Sequence, residues 1–274
     1  MLRTRLLTAA VIAIAATTSS LSNVKAQDLQ VTIENLSDTG GIFLTPLWFG
    51  FHDGSFDVYD QGVAASPGLE SLAEDGSFAA ISSEFMTATS SNGEDSAVFG
   101  AGGPIAPGEI ASATLSVSPS NRYFSYASMV IPSNDAFIAN GNPLAHQAFD
   151  AGGNFTPIEF LVLGTEVLDA GTELNTEMEA AFLNQTGPNT GDDENGVVAL
   201  HPGFIGSIGN PGGTPIILSG SAINAAGASI DTIAADFTAA GYEVARISVS
   251  QIPEPTSLVL LGLSLSGMGL VRRR

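Results

Sequence analysis

The sequence predicts a mainly β protein built as an antiparallel β-sandwich with short helical insertions. Three observations carry that expectation. Short stretches alternate apolar and polar residues with the period of two that gives a strand one buried face. Turns rich in the chain's 31 glycines and 14 prolines separate them at short intervals. Apolar residues at helical spacing occur only in brief patches. Because no cysteine is present, the core, aided at most by bound metal, must hold the fold together.

The elements follow in order. Residues 29–35 alternate, with Val31 and Ile33 on one face and Thr32 and Glu34 on the other, and open the domain as a strand. Residues 42–51 form a nearly continuous apolar run holding the only tryptophan, Trp48, and Pro46 within it predicts an edge or bent strand. Ser66 and Pro67 read as an N-cap and a first-turn proline; Leu69, Leu72 and Ala73 share the helical face, and Gly76 can end it. Residues 78–86 continue with a further turn or two of helix. Residues 100–108 carry four glycines and two prolines and read as a loop, with no strand-to-helix context to make them a phosphate cradle.

Alternation resumes over residues 109–118 through Ala111, Ala113, Leu115 and Val117, and residues 123–131 form an aromatic-rich strand. Residues 155–163 and 197–200 read as buried strands, and residues 246–250 as a last one with Ala245, Ile247 and Val249 facing inward. Two further helical stripes are expected in the core. One joins Met178, Ala181 and Phe182; the other joins Ile230, Ile233, Ala234 and Phe237.

Both ends read as address labels. Arg3 and Arg5, an apolar stretch over residues 6–16 and small residues at Val24 and Ala26 make residues 1–26 a secretory signal peptide with cleavage after Ala26. At the other end, Pro253, Glu254 and Pro255 precede an apolar run over residues 258–271, closed by Arg272, Arg273 and Arg274. That run is short of the roughly 20 residues a stable span needs, so a transient sorting anchor fits better than an ordinary membrane anchor. The arrangement resembles the PEP-CTERM sorting tail of Gram-negative bacteria. The resemblance implies processing by exosortase-type machinery, only passing contact with the membrane, and a secreted or surface location. The chain then divides into a signal peptide (1–26), one β-sandwich domain (27–250) and a sorting signal with a short apolar helix (253–274).

Once both ends are set aside, Arg122 and Arg246 are the only basic residues, whereas every acidic residue but Glu254 stays. The body therefore carries about 25 net negative charges. Such a body repels nucleic acid and anionic lipid, which excludes nucleic-acid binding. Divalent cations would ease the self-repulsion, and calcium suits a chain rich in hard oxygen donors. Acidic surfaces also keep secreted proteins soluble, and composition does not separate the two explanations.

Two turns concentrate the chemistry. Residues 129–137 run from an apolar strand into a polar turn where Asp135 emerges at the strand end; residues 167–173 repeat the design with Asp169. Two such carboxylates at one edge of a sandwich can clamp a hard cation, although an aspartate leaving a strand can equally cap its own turn. The runs from Met129 to Phe137 and from Asp169 to Glu173 resemble the spondin N-terminal domain, and residues 103–108 and 31–35 look like its bacterial members. The resemblance implies a C2-like β-sandwich of the extracellular matrix or cell surface with calcium at one edge. It assigns the ion to Asp135 and Asp169, with a backbone carbonyl around Thr165 in the preceding strand as a third ligand. The chain departs from animal members in having Ala136 after the first aspartate and in lacking cysteines.

Asp192, Asp193, Glu194, Asn195 and Gly196 have the composition of a calcium loop but lack EF-hand spacing, and read as a solvated turn. Asp150 to Asn154 reads as a hairpin connection. His52, His146 and His201 are not paired at zinc-ligand spacing, and Gly206-Ser207-Ile208-Gly209 misses the nucleophile elbow. His201-Pro202-Gly203-Phe204 reads as a structural turn. The expected function is an exported, calcium-binding, non-catalytic module of adhesion type in a surface layer or biofilm matrix, with exopolysaccharide or surface proteins as partners. The competing expectation is a secreted carbohydrate-active hydrolase using paired carboxylates.

Overall fold

The computed structural model describes residues 25–253. Nearly all of the expected signal peptide, and the sorting signal beyond Pro253 with Glu254, Pro255 and Arg272 to Arg274, lie outside the described residues. The chain runs through β1 (Gln27–Asn35), β2 (Phe43–Leu44), β3 (Leu47–His52), α1 (Pro67–Asp75), α2 (Ala79–Ala88), β4 (Glu94–Val98) and β5 (Ile110–Val117). It continues through β6 (Tyr123–Ile131), β7 (Ala136–Ala139), β8 (His146–Gln147), β9 (Ile158–Leu163), β10 (Leu168–Asp169), β11 (Ala199–Leu200) and β12 (Glu243–Gln251).

Two antiparallel sheets form a sandwich. One has the order β5-β1-β12-β9; the other has the path β11-β10-β7-β6-β3-β4, with β2 and β8 also pairing with β6. Between them, Leu29, Val31 and Ile33 of β1 and Ile247 and Val249 of β12 pack with Phe49, Phe51 and Phe124 of the larger sheet. The first and last strands pair from Leu29↔Gln251 to Asn35↔Ala245, so Pro253 leaves the domain beside its first strand.

The larger sheet is covered twice, which explains why β3 and most of β6 read as continuous apolar runs rather than alternating ones. Leu47, Phe49 and Phe51 face the sandwich interior, while Trp48 turns the other way into a second cluster with Leu69, Leu72 and Ala73 of α1 and Ile81 and Phe85 of α2. Gly50 permits that second layer: a Cβ there would lie 2.7 Å from the Phe85 ring. The helix start and stop are those read from the sequence. Ser66 Oγ accepts from Leu69 N at 3.1 Å, and Gly76 closes α1 in the left-handed region at φ 67°.

Five expectations change. Pro46 bends the chain between β2 and β3 but does not mark an edge, because β3 lies between β6 and β4. Strand β9 begins at Ile158 and buries only one face, whereas β11 is a two-residue exposed edge with Leu200 56% exposed. Met178 and Phe182 form no helical stripe: Glu177, Glu179 and Phe182 have positive φ, and Met178 and Phe182 are exposed. Glu177 instead turns inward and accepts from Ile205 N, Ile216 N and Ile217 N at 2.7, 2.7 and 2.9 Å. The fifth is the stripe after Ile230, which is a run of turns. Ile230 and Phe237 reach the core but Ile233 is 82% exposed, because Asp231 accepts from Ile233 N and Ala234 N and holds the chain in a tight turn.

Candidate metal centre

Antiparallel pairing of β7 with β10 brings the two aspartates together. Asp169 lies opposite Ala136, and Ala170 N donates to the Asp135 carbonyl at 3.3 Å. Asp135 does not end β6, as the sequence suggested; it directly precedes β7, whose start lies beside the end of β10. The turn leading to it is held by Ser133, whose Oγ donates to Val130 O at 2.5 Å and accepts from Ala136 N at 3.1 Å.

The two carboxylates are dressed differently. Asp135 Oδ2 accepts from Thr172 N at 2.9 Å, Thr172 Oγ1 at 3.3 Å and Glu173 N at 3.2 Å. Its Oδ1 is buried and makes no hydrogen bond. Asp169 Oδ1 accepts from Gly171 N at 2.7 Å, and its Oδ2 accepts from the Asn175 side-chain amide. Gly171, at φ 68°, makes the turn that aims these donors inward; a Cβ there would meet Val197 N at 2.5 Å.

Burial, and then the negative charge of Asp169, push Asp135 well above the ordinary carboxylate range. Burial raises Asp169 as well, against hydrogen bonds from Gly171, from Asn175 and, when it is protonated, from Asp135. Glu74 of α1 is pushed up to about 7, chiefly by burial, while the Thr172 side chain opposes the shift and Glu173 adds to it. Neither Arg122 nor Arg246 lies beside these acids. Arg246 pairs with Glu34 on the small sheet; Arg122 donates to Phe149 O at 3.2 Å and lies over the Tyr123 ring.

Two parts of the site were not legible as such in the sequence. His201 Nδ1 accepts from Gly203 N at 3.0 Å, which leaves Nε2–H to donate to Asn175 Oδ1 at 3.0 Å. Asn175 then presents its amide hydrogen to Asp169, so a three-residue relay fixes that carboxylate's orientation. Burial holds His201 neutral, with a pKa of about 4. The His-Pro-Gly-Phe run is thus a turn, as read, with a positioning task. The acidic segment at 192–196 is largely exposed, as a solvated turn should be, but it is also anchored. It docks on the Gly171 turn through Glu194 N to Thr172 O and Gly196 N to Gly171 O, at 2.8 and 2.7 Å, and sets Glu194 within electrostatic reach of both aspartates.

Thr165 is placed elsewhere. It sits in a 3-10 turn (Gly164–Glu166), not in a strand, and lines a cleft with Tyr59 and Tyr126. It is not among the groups bonded to either aspartate. A set of three or more His, Cys, Asp or Glu side chains poised for a metal is also absent among the described residues. Any ion held by this pair would complete its shell with carbonyl and water oxygen, as calcium commonly does. The orphaned Asp135 Oδ1 beside a second carboxylate fits a hard cation; soft or nitrogen-seeking metals have no donor here.

Sandwich, acidic rim and end signals together define an exported, surface-sorted β protein. Residues 44–143 match the Spondin_N family model, and residues 251–274 match the PEP-CTERM protein-sorting motif. The chain thus carries a spondin N-terminal match with a sorting tail whose motif implies exosortase-type sorting. The first stretch includes Asp135 and stops before Asp169. No curated protein matches the chain.

Proposed function

We propose that this surface-sorted protein is a non-catalytic, adhesion-type module of the cell surface or biofilm matrix, clipped by one calcium ion at the rim formed by Asp135 and Asp169. The observation that carries this reading is the buried, unbonded Oδ1 of Asp135, a residue that interacts with a second buried carboxylate, Asp169. A buried carboxylate oxygen without a partner costs on the order of 1–3 kcal/mol, and a hard cation is the ligand that removes that cost. Asp135 and Asp169 would hold the ion, with Glu194 at the rim and the relay from His201 through Asn175 keeping Asp169 in place. Bound there, the ion would neutralise both charges and tie β7 to β10.

The absence of catalysis is supported by the state of the polar groups. His52 Nδ1 accepts from Gly54 N at 3.0 Å, so its Nε2–H donates to Ser125 Oγ at 2.9 Å and cannot take that hydroxyl's proton. Both residues are fully buried. Asp135 and Asp169 are 0% and 7% exposed, which leaves no room for a sugar ring between a general acid and a nucleophile.

Calcium titration of the mature protein by calorimetry tests the clip. One saturable site is expected, lost in Asp135→Ala and Asp169→Ala; equal binding by both variants removes the site. Turnover of a polysaccharide that vanishes with an acidic-residue variant would overturn the non-catalytic reading. The sorting role of Pro253, Glu254, Pro255 and Arg272 to Arg274 predicts an intact mass lacking residues beyond about Pro255.

A further inference from the structure

Beside residues 165–168 the two sheets part to form a cleft of about 410 Å³ that neither Asp135 nor Asp169 lines, within the ~300–1,000 Å³ of small-ligand sites. Its walls come from both sheets. His146 of β8 and Phe160 of β9 stack face to face, with centroids 4.0 Å apart and planes 14° from parallel, and Tyr126 of β6 lies 5.3 Å from Phe160. Phe160 and His146 are only half-buried, so ring surface is presented to the cleft. The remaining wall is polar, with Tyr59, Gln61 and Glu166 facing the same space.

Tyr126 supplies a second, independent observation. It is 5% exposed, lines the cleft, and its hydroxyl makes no hydrogen bond among the described residues. The ring is buried, and the hydroxyl, which is not among the buried atoms left without a partner, meets solvent on its open side, the cleft. The exposed amide of Gln61 is likewise without an internal hydrogen bond. Glu166 uses one carboxylate oxygen, Oε2, on Leu163 N at 2.8 Å and keeps the other.

The lining selects a ligand class. No lysine or arginine borders the cleft, so an anion finds a carboxylate and no counter-charge. A purely apolar ligand would strand the hydroxyls of Tyr59, Tyr126 and Thr165, the Gln61 amide and the Glu166 carboxylate. Flat ring surface beside outward-facing donors and acceptors matches a sugar, whose C–H face packs on aromatic carbon while its hydroxyls bond at the rim. We propose that this cleft binds a segment of a neutral polysaccharide, with Phe160 and Tyr59 as packing surfaces and Tyr126, Gln61 and Glu166 as hydroxyl partners. The proposal extends the binding role proposed above but does not depend on calcium.

The test is calorimetric titration of the mature protein with neutral hexasaccharides of glucan, mannan and galactan, and with polygalacturonate as the anionic probe. Each is run in excess chelator and in calcium. Saturable binding of a neutral hexasaccharide is expected, weakened about tenfold by Phe160→Ala and about threefold by Gln61→Ala. Gln61 is exposed, so that variant should melt with the wild type and keeps the test valid if Phe160→Ala fails to fold. The proposal is overturned if no neutral hexasaccharide binds, if polygalacturonate binds better, or if Gln61→Ala binds like wild type. Sugar binding in chelator by a protein that shows no calcium heat would sink the metal clip alone; calcium binding without sugar binding would sink the cleft alone.

Discussion

Replacing Asp135 with asparagine should reverse the order of stability between calcium and chelator. The amide keeps an oxygen to accept from Thr172 N, Thr172 Oγ1 and Glu173 N, and places an N–H where Oδ1 now has no partner, able to donate to Asp169. In chelator, at a pH high enough to ionise both carboxyls, the variant therefore loses a buried like-charge contact and an orphaned acceptor, a gain of about 2–4 kcal/mol. At about 2–4 °C per kcal/mol for a domain of this size, Asp135→Asn should melt roughly 4–16 °C above wild type. Calcium at a hundred times its dissociation constant adds about 2.7 kcal/mol to wild type, and little to a variant missing a charged ligand. Scanning calorimetry in chelator and in calcium reads both differences. A variant less stable than wild type in chelator, or one that gains as much from calcium, would refute the reasoning.

Three further outcomes follow from the same geometry. Asn175→Ala breaks the link between His201 and Asp169 and should weaken calcium binding about 10–100-fold with a smaller change in melting, measured by titration and calorimetry. Gly171→Ala puts a Cβ against the Val197 backbone at a positive φ and should cost about 2–4 kcal/mol in denaturant unfolding. His52 is held at about 4, mainly by burial and against the pull of Asp53. The unfolded chain thus binds its proton first as pH falls from about 6.5 toward 4, so wild type should lose about 2–3 kcal/mol relative to His52→Gln across that window, and unfolding curves at several pH values check it.

Much of the scaffold was legible because it rests on local rules. Alternation at Val31, Ile33, Ile247 and Val249 places those residues in the core, and Ser66, Pro67 and Gly76 bound a helix by capping chemistry that needs no distant partner. The failures share a cause. Around Met178 and Ile233 the spacing is helical, but the backbone follows side chains making specific bonds: Glu177 to three distant backbone N–H groups, Asp231 to its own turn. A hydrophobic pattern contains no record of such bonds. The roles of His201 and Glu194 were hidden for the same reason, since each acts through residues remote in sequence.

By itself, the sequence determined a disulfide-free, strongly acidic β protein bearing export and sorting signals, and it singled out two aspartates in similar turns. Composition, period and short motifs are properties of contiguous residues. Only the tertiary structure decided that β7 and β10 run antiparallel, so that one aspartate at a strand's start meets another at a strand's end. It also decided that one oxygen of Asp135 is buried without a partner, and that rings from separate sheets line an open cleft. Those are consequences of which strands pair and which atoms lose water, and strand pairing joins residues that the chain itself keeps far apart.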